Sequence, residues 1–383
     1  MGALPIAMVA ALPAFAQSNE NIIDVTGDRG QINVTQDGSD SSSTIEQGGE
    51  FNRADVEQSG VNQTSTIIQT TPGAVDQFGN NVSGIVLVDQ RGSNNTSAVD
   101  QFGTFFTRTF PSDAGSGSQI VTVDQDGDRN ASDLAITGQS NSAIVEQIGD
   151  RNMAFGLVAG DESRAEITQL GSDNLANFSQ SALHVSSSSQ PFVIVAQTGN
   201  ANTADVNQSG ENGISDSFAI VRQSDDDNTA TVSQSGIALQ VRVTQSTGSN
   251  RAIVTQIADS SGQEANIFQN GSNGYGEVTQ DGSGSSSTLI QSGSDNSSTN
   301  EQNGSSHNTI VTQTDTGAVS TVLQEGRRNS VRVTQGGTEN LSDILAMGGP
   351  NSINVTQDSA SNNSSIQVSG EFNSVNVNQN APM

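Results

Sequence analysis

Apolar residues along this chain come in pairs two positions apart, and the pairs return every eleven residues with few slips. Asn52-Arg53-Ala54-Asp55-Val56-Glu57-Gln58-Ser59-Gly60 is one copy, and the aligned copies read Asn-x-(Ala/Ser/Val)-x-(Val/Ile)-x-Gln-x-Gly-x-x. Positions two apart share one face of a β-strand. Between them stand Arg, Asp, Glu, Thr and Asn, which suit a wet face. Each copy predicts a strand of about seven residues and a turn of about four. Glycine two places past the glutamine (Gly38, Gly60, Gly149, Gly171, Gly271, Gly337) supplies the positive φ of a tight corner.

An eleven-residue period also suits a right-handed helical coiled coil. Chemistry decides against it, because every unit carries a glycine and a cluster of Asn, Ser and Asp that a helix interior disfavours. A unit this short cannot bury a core alone, so the copies must stack. The predicted fold is all-β: a single elongated two-sheet β-solenoid, a stack of β-arches whose strands lie parallel and in register. Counting arms from Val25 gives about thirty-two, hence about sixteen coils of 22 residues with two strands per coil.

The glutamine slot separates the two sides of the stack. Val25, Ile136, Val158, Ala346 and Val368 replace glutamine in odd-numbered arms, and the odd arm around Phe105 to Phe110 is irregular. Every even arm keeps it: Gln36, Gln58, Gln77, Gln101, Gln125, Gln147, Gln169, Gln197, Gln223, Gln245, Gln269, Gln291, Gln313, Gln335, Gln357 and Gln379. Stacking would turn these side chains into one amide ladder, each donating to one neighbour and accepting from the other. The asparagines at strand starts (Asn52, Asn141, Asn202, Asn228, Asn250, Asn329, Asn351, Asn373) should form a second ladder at the opposite corner. Between the ladders, Ala54, Val56 and their equivalents should form a thin dry zipper with no room for aromatics, which are 4% of the chain.

Charge and terminal composition narrow the function. The net charge is −28, and all thirteen basic residues are arginine, a balance that argues against nucleic acid as a partner. The chain has no cysteine. Residues 1–16 are apolar and end Ala14-Phe15-Ala16 before Gln17, the pattern of a signal peptide and its cleavage site. A short segment, 17–24, then leads into the first strand of a repeat domain spanning 17–383. No later stretch is long and apolar enough to be a membrane-spanning helix. Breaks in the period place insertions near His184 to Gln190, between Gln208 and Gln223, and between Gln101 and Gln125.

Chemical motifs are few. Asp124 to Asn130 has the acidic look of a calcium loop but lacks the glycine and the glutamate that such a loop requires, so it is predicted to be a turn. Asp225-Asp226-Asp227 is likewise a turn. No nucleophile–base pair stands out, and neither catalytic residues nor a cofactor or metal is expected. His307 occupies an asparagine slot, and Tyr275 falls on an outward face.

The Asn/Ser-x5-Gln-x4-Asn-x5-Gln spacing, as from Asn52 through Gln58 to Gln69, resembles the curlin repeat of bacterial curli subunits. The resemblance covers nearly the whole chain after residue 16. It implies a secreted functional amyloid of a Gram-negative bacterium. Such a subunit is exported unfolded through a dedicated outer-membrane pore, then polymerised into extracellular biofilm fibres, with a nucleator subunit as a further partner. The chain departs from the family's major subunit in having more repeats and a shorter leading segment. Assembly is expected to proceed by strand addition at the terminal coils. A minor nucleating or adhesive subunit of the same fibres remains an alternative, as does a monomeric solenoid adhesin. Ice binding would need an unbroken outward threonine row, which Glu57, Asp100, Glu146 and Arg222 interrupt.

Overall fold

The structure, a computed structural model, describes residues 18–71, 84–103, 119–182, 191–210, 216–257 and 262–380. All its regular elements are strands, thirty among the described residues and numbered here in chain order. They fall into two compact units, Met1–Val185 and Ser186–Met383.

In the first unit, odd-numbered strands from β1 (Glu20–Asp28) to β13 (Leu175–Ala182) stack into one parallel sheet. Even-numbered strands from β2 (Gln31–Ser39) to β12 (Arg164–Leu170) form a facing one. The second unit repeats the plan with β14 (Phe192–Thr198) to β30 (Ser374–Gln379) in one sheet and β15 (Thr203–Gly210) to β29 (Asn363–Gly370) in the other. Consecutive strands of the chain thus lie in opposite sheets, and each pairs with the strand two further on. Register is residue for residue: Ala54 pairs with Ile32 and Val86, Val56 with Val34 and Val88, Gln58 with Gln36 and Gln90. This is the two-sheet, in-register β-solenoid that the period of eleven predicts.

The strand count falls short of the expected thirty-two, and the shortfall has a physical cause. Only eight residues separate Gln69 from Gln77, too few for a strand and a corner. β4 (Arg53–Val61) pairs directly with β6 (Gly84–Ser93). Likewise β7 (Thr96–Gly103) pairs directly with β9 (Ala131–Gln139). Gln77, that phenylalanine-rich arm, the proposed signal peptide at 1–16 and the insertion near His184 to Gln190 all lie outside the described residues.

Corners carry more backbone strain than glycine alone would suggest. Gly38, Gly60, Gly149, Gly171 and Gly337 have φ of 146°, 127°, 113°, 120° and 81°. Gly271 lies outside that left-handed window. It is needed for closeness instead, because a Cβ there would stand 1.4 Å from the Gly293 carbonyl oxygen. Two residues past most corner glycines a second position is left-handed: Asp40 (58°), Asn62 (56°), Asn94 (58°), Asp173 (60°) and Asn273 (56°). Asn and Asp tolerate that region best among residues with a side chain.

Inside, the slot four before the glutamine and the slot two before it form buried columns of Ala, Ser, Val and Ile. One interior aromatic contradicts the expectation that none would fit. Phe178, on β13, is only 4% exposed. It fits because Gly156, its in-register partner on β11 (Met153–Asp161), has no side chain; a Cβ there would sit 1.9 Å from the ring. A second departure is a column of buried serines, Ser43, Ser65, Ser97 and Ser132, whose hydroxyls have no partner among the described residues.

The Phe178–Gly156 pair makes a direct test. Gly156→Ala should destabilise the first unit by about 1–3 kcal/mol through overpacking. Adding Phe178→Val should recover most of that loss. Chemical unfolding of the single and double variants measures both.

Candidate functional site

The glutamines close each strand where it enters its corner, and in-register stacking brings their carboxamides within hydrogen-bond reach. In the even sheet of the first unit Gln36 Nε2 donates to Gln58 Oε1 (2.8 Å), Gln58 to Gln90 (2.9 Å), Gln90 to Gln125 (2.8 Å), Gln125 to Gln147 (2.7 Å) and Gln147 to Gln169 (2.8 Å). In the second unit the same sheet runs from Gln197 through Gln223, Gln245, Gln269, Gln291, Gln313, Gln335 and Gln357 to Gln379, with steps of 2.8–3.0 Å.

Each amide has a second N–H to place. It goes across the corner to the first strand residue of the facing sheet: Gln58 to the Ser42 carbonyl (3.1 Å), Gln147 to that of Ala131 (3.1 Å), Gln291 to that of Tyr275 (2.9 Å). The ladder therefore ties coil to coil and sheet to sheet with the same side chain. Its members other than Gln379 are buried, which is tolerable because the amides are paired along the ladder and across the corner; an unmet buried polar group costs about 1–3 kcal/mol.

Gln101 does not belong to this series. It lies on β7 in the odd sheet and accepts from Gln69 at 3.0 Å, while Gln90 takes the even position. Counting Gln77 as a rung shifted the parity of Gln90 and Gln101, and the irregular arm restored it at Gln125. The odd sheet has ladders of its own, interrupted where apolar residues stand. In the first unit it runs from Gln47 through Gln69 to Gln101, and in the second from Gln208 through Gln234, Gln256, Gln280 and Gln302 to Gln324. Where Gln101 meets Ile136, its Nε2 has no partner among the described residues.

The asparagines form the expected amide-on-amide bond at some steps, Asn373 to Asn351 (3.0 Å), Asn174 to Asn152 (3.0 Å) and Asn250 to Asn228 (3.3 Å), but bond chiefly to backbone. Their side-chain oxygens accept backbone N–H groups from the next coil, as Asn202 does from Asn228 (3.0 Å), Asn228 from Asn250 (3.1 Å), Asn250 from Gly274 (2.8 Å) and Asn141 from Ser163 (2.9 Å). Asn52 accepts from Gly84, Asn329 from Asn351 and Asn351 from Asn373, each at 3.1 Å. Their Nδ2 groups donate to corner carbonyls, for example Asn52 to Gly48 (2.8 Å) and Asn351 to Gly370 (3.0 Å). The cause is position: these residues sit just before the strand, where the backbone N–H above points at the side chain. They also form two series, one per sheet. Asn95, Asn130, Asn152 and Asn340 belong to them, and a count of six residues back from every glutamine slot finds them.

Corner aspartates add a further set of caps. Asp128 accepts from the Ser93 N–H (3.1 Å), Asp150 from that of Asp128 (3.1 Å) and Asp226 from that of Asn200 (2.7 Å). The acidic turns at Asp124 to Asn130 and Asp225 to Asp227 thus satisfy backbone. No group of three or more His, Cys, Asp or Glu able to hold a metal ion occurs among the described residues.

On the outer face of the first unit's even sheet, stacking aligns charge. Glu57, Asp89, Asp124 and Glu146 occupy one register on successive strands. Arg91 donates to Asp124 at 2.6 Å and lies 3.9 Å from both Asp89 and Asp126. Partial burial pushes the Asp89 carboxyl above the usual range; Arg91 opposes the shift, and Asp124 and Glu57 add to it.

Two results are expected. Gln147→Leu breaks the ladder on both sides, stranding the Gln125 donor, and should cost about 2–4 kcal/mol in chemical unfolding. For Asp89 the folded form binds its proton more tightly than the unfolded chain, so its ionisation penalty is present at neutral pH and disappears as pH falls through the carboxylate range. Asp89→Asn should accordingly raise the melting temperature of the protein at pH 7 and leave it unchanged near pH 3.

Residues 121–149, 160–210 and 226–257 match the family model of the curlin associated repeat. The matched stretches contain ladder glutamines Gln125, Gln147, Gln169 and Gln197 and the corner asparagines Asn141, Asn202, Asn228 and Asn250. No curated protein matches the chain. The chain therefore carries the curlin associated repeat over these three stretches.

Proposed function

We propose that this chain is a structural subunit of extracellular curli-like fibres and that its activity is assembly itself. The observation that carries the proposal is in-register stacking, by which each rung offers the next the same apolar columns and the same carboxamides. On β30 the core positions Val375 and Val377 are half-buried, whereas their partners Ile353 and Val355 on β28 (Ser352–Gln357) are buried. Gln379 accepts from Gln357 at 2.8 Å, the same bond that joins the earlier pairs of rungs in this sheet of the second unit. A sheet edge of this kind presents unpaired backbone N–H and C=O groups to any strand of matching register. A second copy supplies that strand, its columns and its amides, and extends both sheets without a new kind of contact.

The other features support the same role. The curlin repeat is that of a structural family, which agrees with a chain whose recurring side chains serve stacking. The charge of −28 favours solubility before assembly. In this proposal residues 1–16 direct export and are removed, and residues from 17 onward form the fibre-building repeat domain. Export then passes through a curli-type outer-membrane pore, and the partner in the fibre is another copy of the chain.

Purified protein, incubated at neutral pH, should form fibres that bind amyloid dyes and give a meridional reflection near 4.8 Å. Preformed fibre fragments should remove the lag phase. A sample that stays monomeric through prolonged seeding, with no such reflection, overturns the proposal.

A further inference from the structure

One corner of the second unit is built on a group that titrates. His307 lies between β23 (Ser297–Ser305) and β24 (Asn308–Gln313), in the slot that asparagine fills at other corners, and is 1% exposed. Its ring replaces the carboxamide bond for bond. Nδ1 takes the backbone N–H of Asn329 (3.3 Å), as Asn329 Oδ1 takes that of Asn351 one coil further on (3.1 Å). Nε2 lies 3.1 Å from the Asn303 carbonyl oxygen, as the Asn329 Nδ2 lies 2.9 Å from that of Glu325. These partners fix the protonation state. A donor facing Nδ1 requires a bare nitrogen, and a carbonyl facing Nε2 requires an N–H, so the ring is the neutral Nε2–H tautomer.

A proton on Nδ1 would set two donors against each other and bury a cation. The Asn303 and Gly326 carbonyls favour a charged ring, but burial outweighs them, and on the strand preceding β22 the carboxylate of Asp281, level with Asn303, is exposed. β22 (Ser286–Gln291) and the preceding Ser285 bring no charge, and β24 has none. β23 carries Glu301, β25 (Val319–Arg327) carries Glu325 and Arg327, and Arg328 precedes β26 (Ser330–Gln335); all four side chains are exposed. The core beside this corner is also unusually polar. Ser298 and Ser320 fill a slot that other coils share between Ala and Ser, and Asn300 and Thr309 add an amide and a hydroxyl to the same core. The Asn300 Oδ1 and the hydroxyls of Ser298 and Ser320 have no partner among the described residues. This coil therefore has less apolar burial with which to offset a broken corner.

We propose that His307 makes the two coils from β23 to β26 an acid-labile segment: neutral imidazole closes the corner, and protonation opens it locally. Burial holds the ring below its ordinary value of 6.5, which sets the sign. A folded-state value lower than the unfolded one means full stability above about 6.5, and loss as pH falls below it toward the folded-state value. The asparagine and serine corners have no such dependence, because amides and hydroxyls do not titrate in this range.

Hydrogen–deuterium exchange of the full chain between pH 7.5 and 5.0 tests this, reading peptides that span residues 300–335 and correcting for the intrinsic exchange rate. In the wild type the protection of that segment should fall about tenfold for each pH unit below about 6.5, until the folded-state value is passed. His307→Asn restores the slot's usual carboxamide and should hold protection within about twofold across the range. ¹⁵N spectra should show the wild-type ring as Nε2–H at pH 7. Identical pH profiles for wild type and variant, or a ring found as the Nδ1–H tautomer or charged at pH 7, overturn the proposal.

Discussion

The interaction on which the structure depends is the hydrogen bond between identical side chains one strand spacing apart. Parallel, in-register stacking places like on like at every position. That placement favours residues whose side chains both donate and accept, and it penalises those that do only one. Glutamine satisfies the demand along the stack and has a second N–H left to secure the corner. Asparagine, one bond shorter and placed before the strand, meets the backbone of the next coil instead. The same rule turns ionised carboxylates into a liability, as on the outer column from Glu57 to Glu146, where an arginine must intervene.

The rule also explains why interruptions are costly and where they occur. A ladder that meets Ile136 strands the last amide, Gln101 Nε2, whereas the even sheet avoids such breaks within the described residues. The odd sheet collects the irregularities: apolar residues in the glutamine slot, unpartnered serine hydroxyls, the Phe178–Gly156 pair and the polar core near Asn300. One face of each unit is thus continuous in its hydrogen bonding and the other is a patchwork. Local stability is expected to follow that division.

Much of this was legible in the sequence because the repeat is short and each fixed slot has one physical job. Spacing of two gave strands, spacing of eleven gave stacking, and Gln58, Gln147 or Gln335 could be assigned a ladder position without coordinates. Parity across an insertion could not be counted reliably, since a glutamine such as Gln77 carries no mark that distinguishes a rung from a connection. The backbone bonds of the asparagines were not legible, because spacing reveals which residues are level but not whether the nearest partner is side chain or backbone. The second left-handed corner position was present in the recurrence of Asp40, Asn62, Asn94 and Asp173 four places past the glutamine. Phe178 fits only because Gly156 stands in the same register one rung away, a relation between positions 22 apart that single-repeat alignment averages out.

The central claim is that glutamine carboxamides of successive coils lie in register within one chain. Magnetic-resonance distance measurement on protein labelled with ¹³C at the glutamine carboxamide carbons, diluted in unlabelled protein so that only intramolecular pairs contribute, tests it most directly. Separations clustered near 5 Å, the spacing of adjacent strands, are the predicted result. A distribution with no such cluster, and nearest carboxamides about 8 Å or more apart, would contradict it.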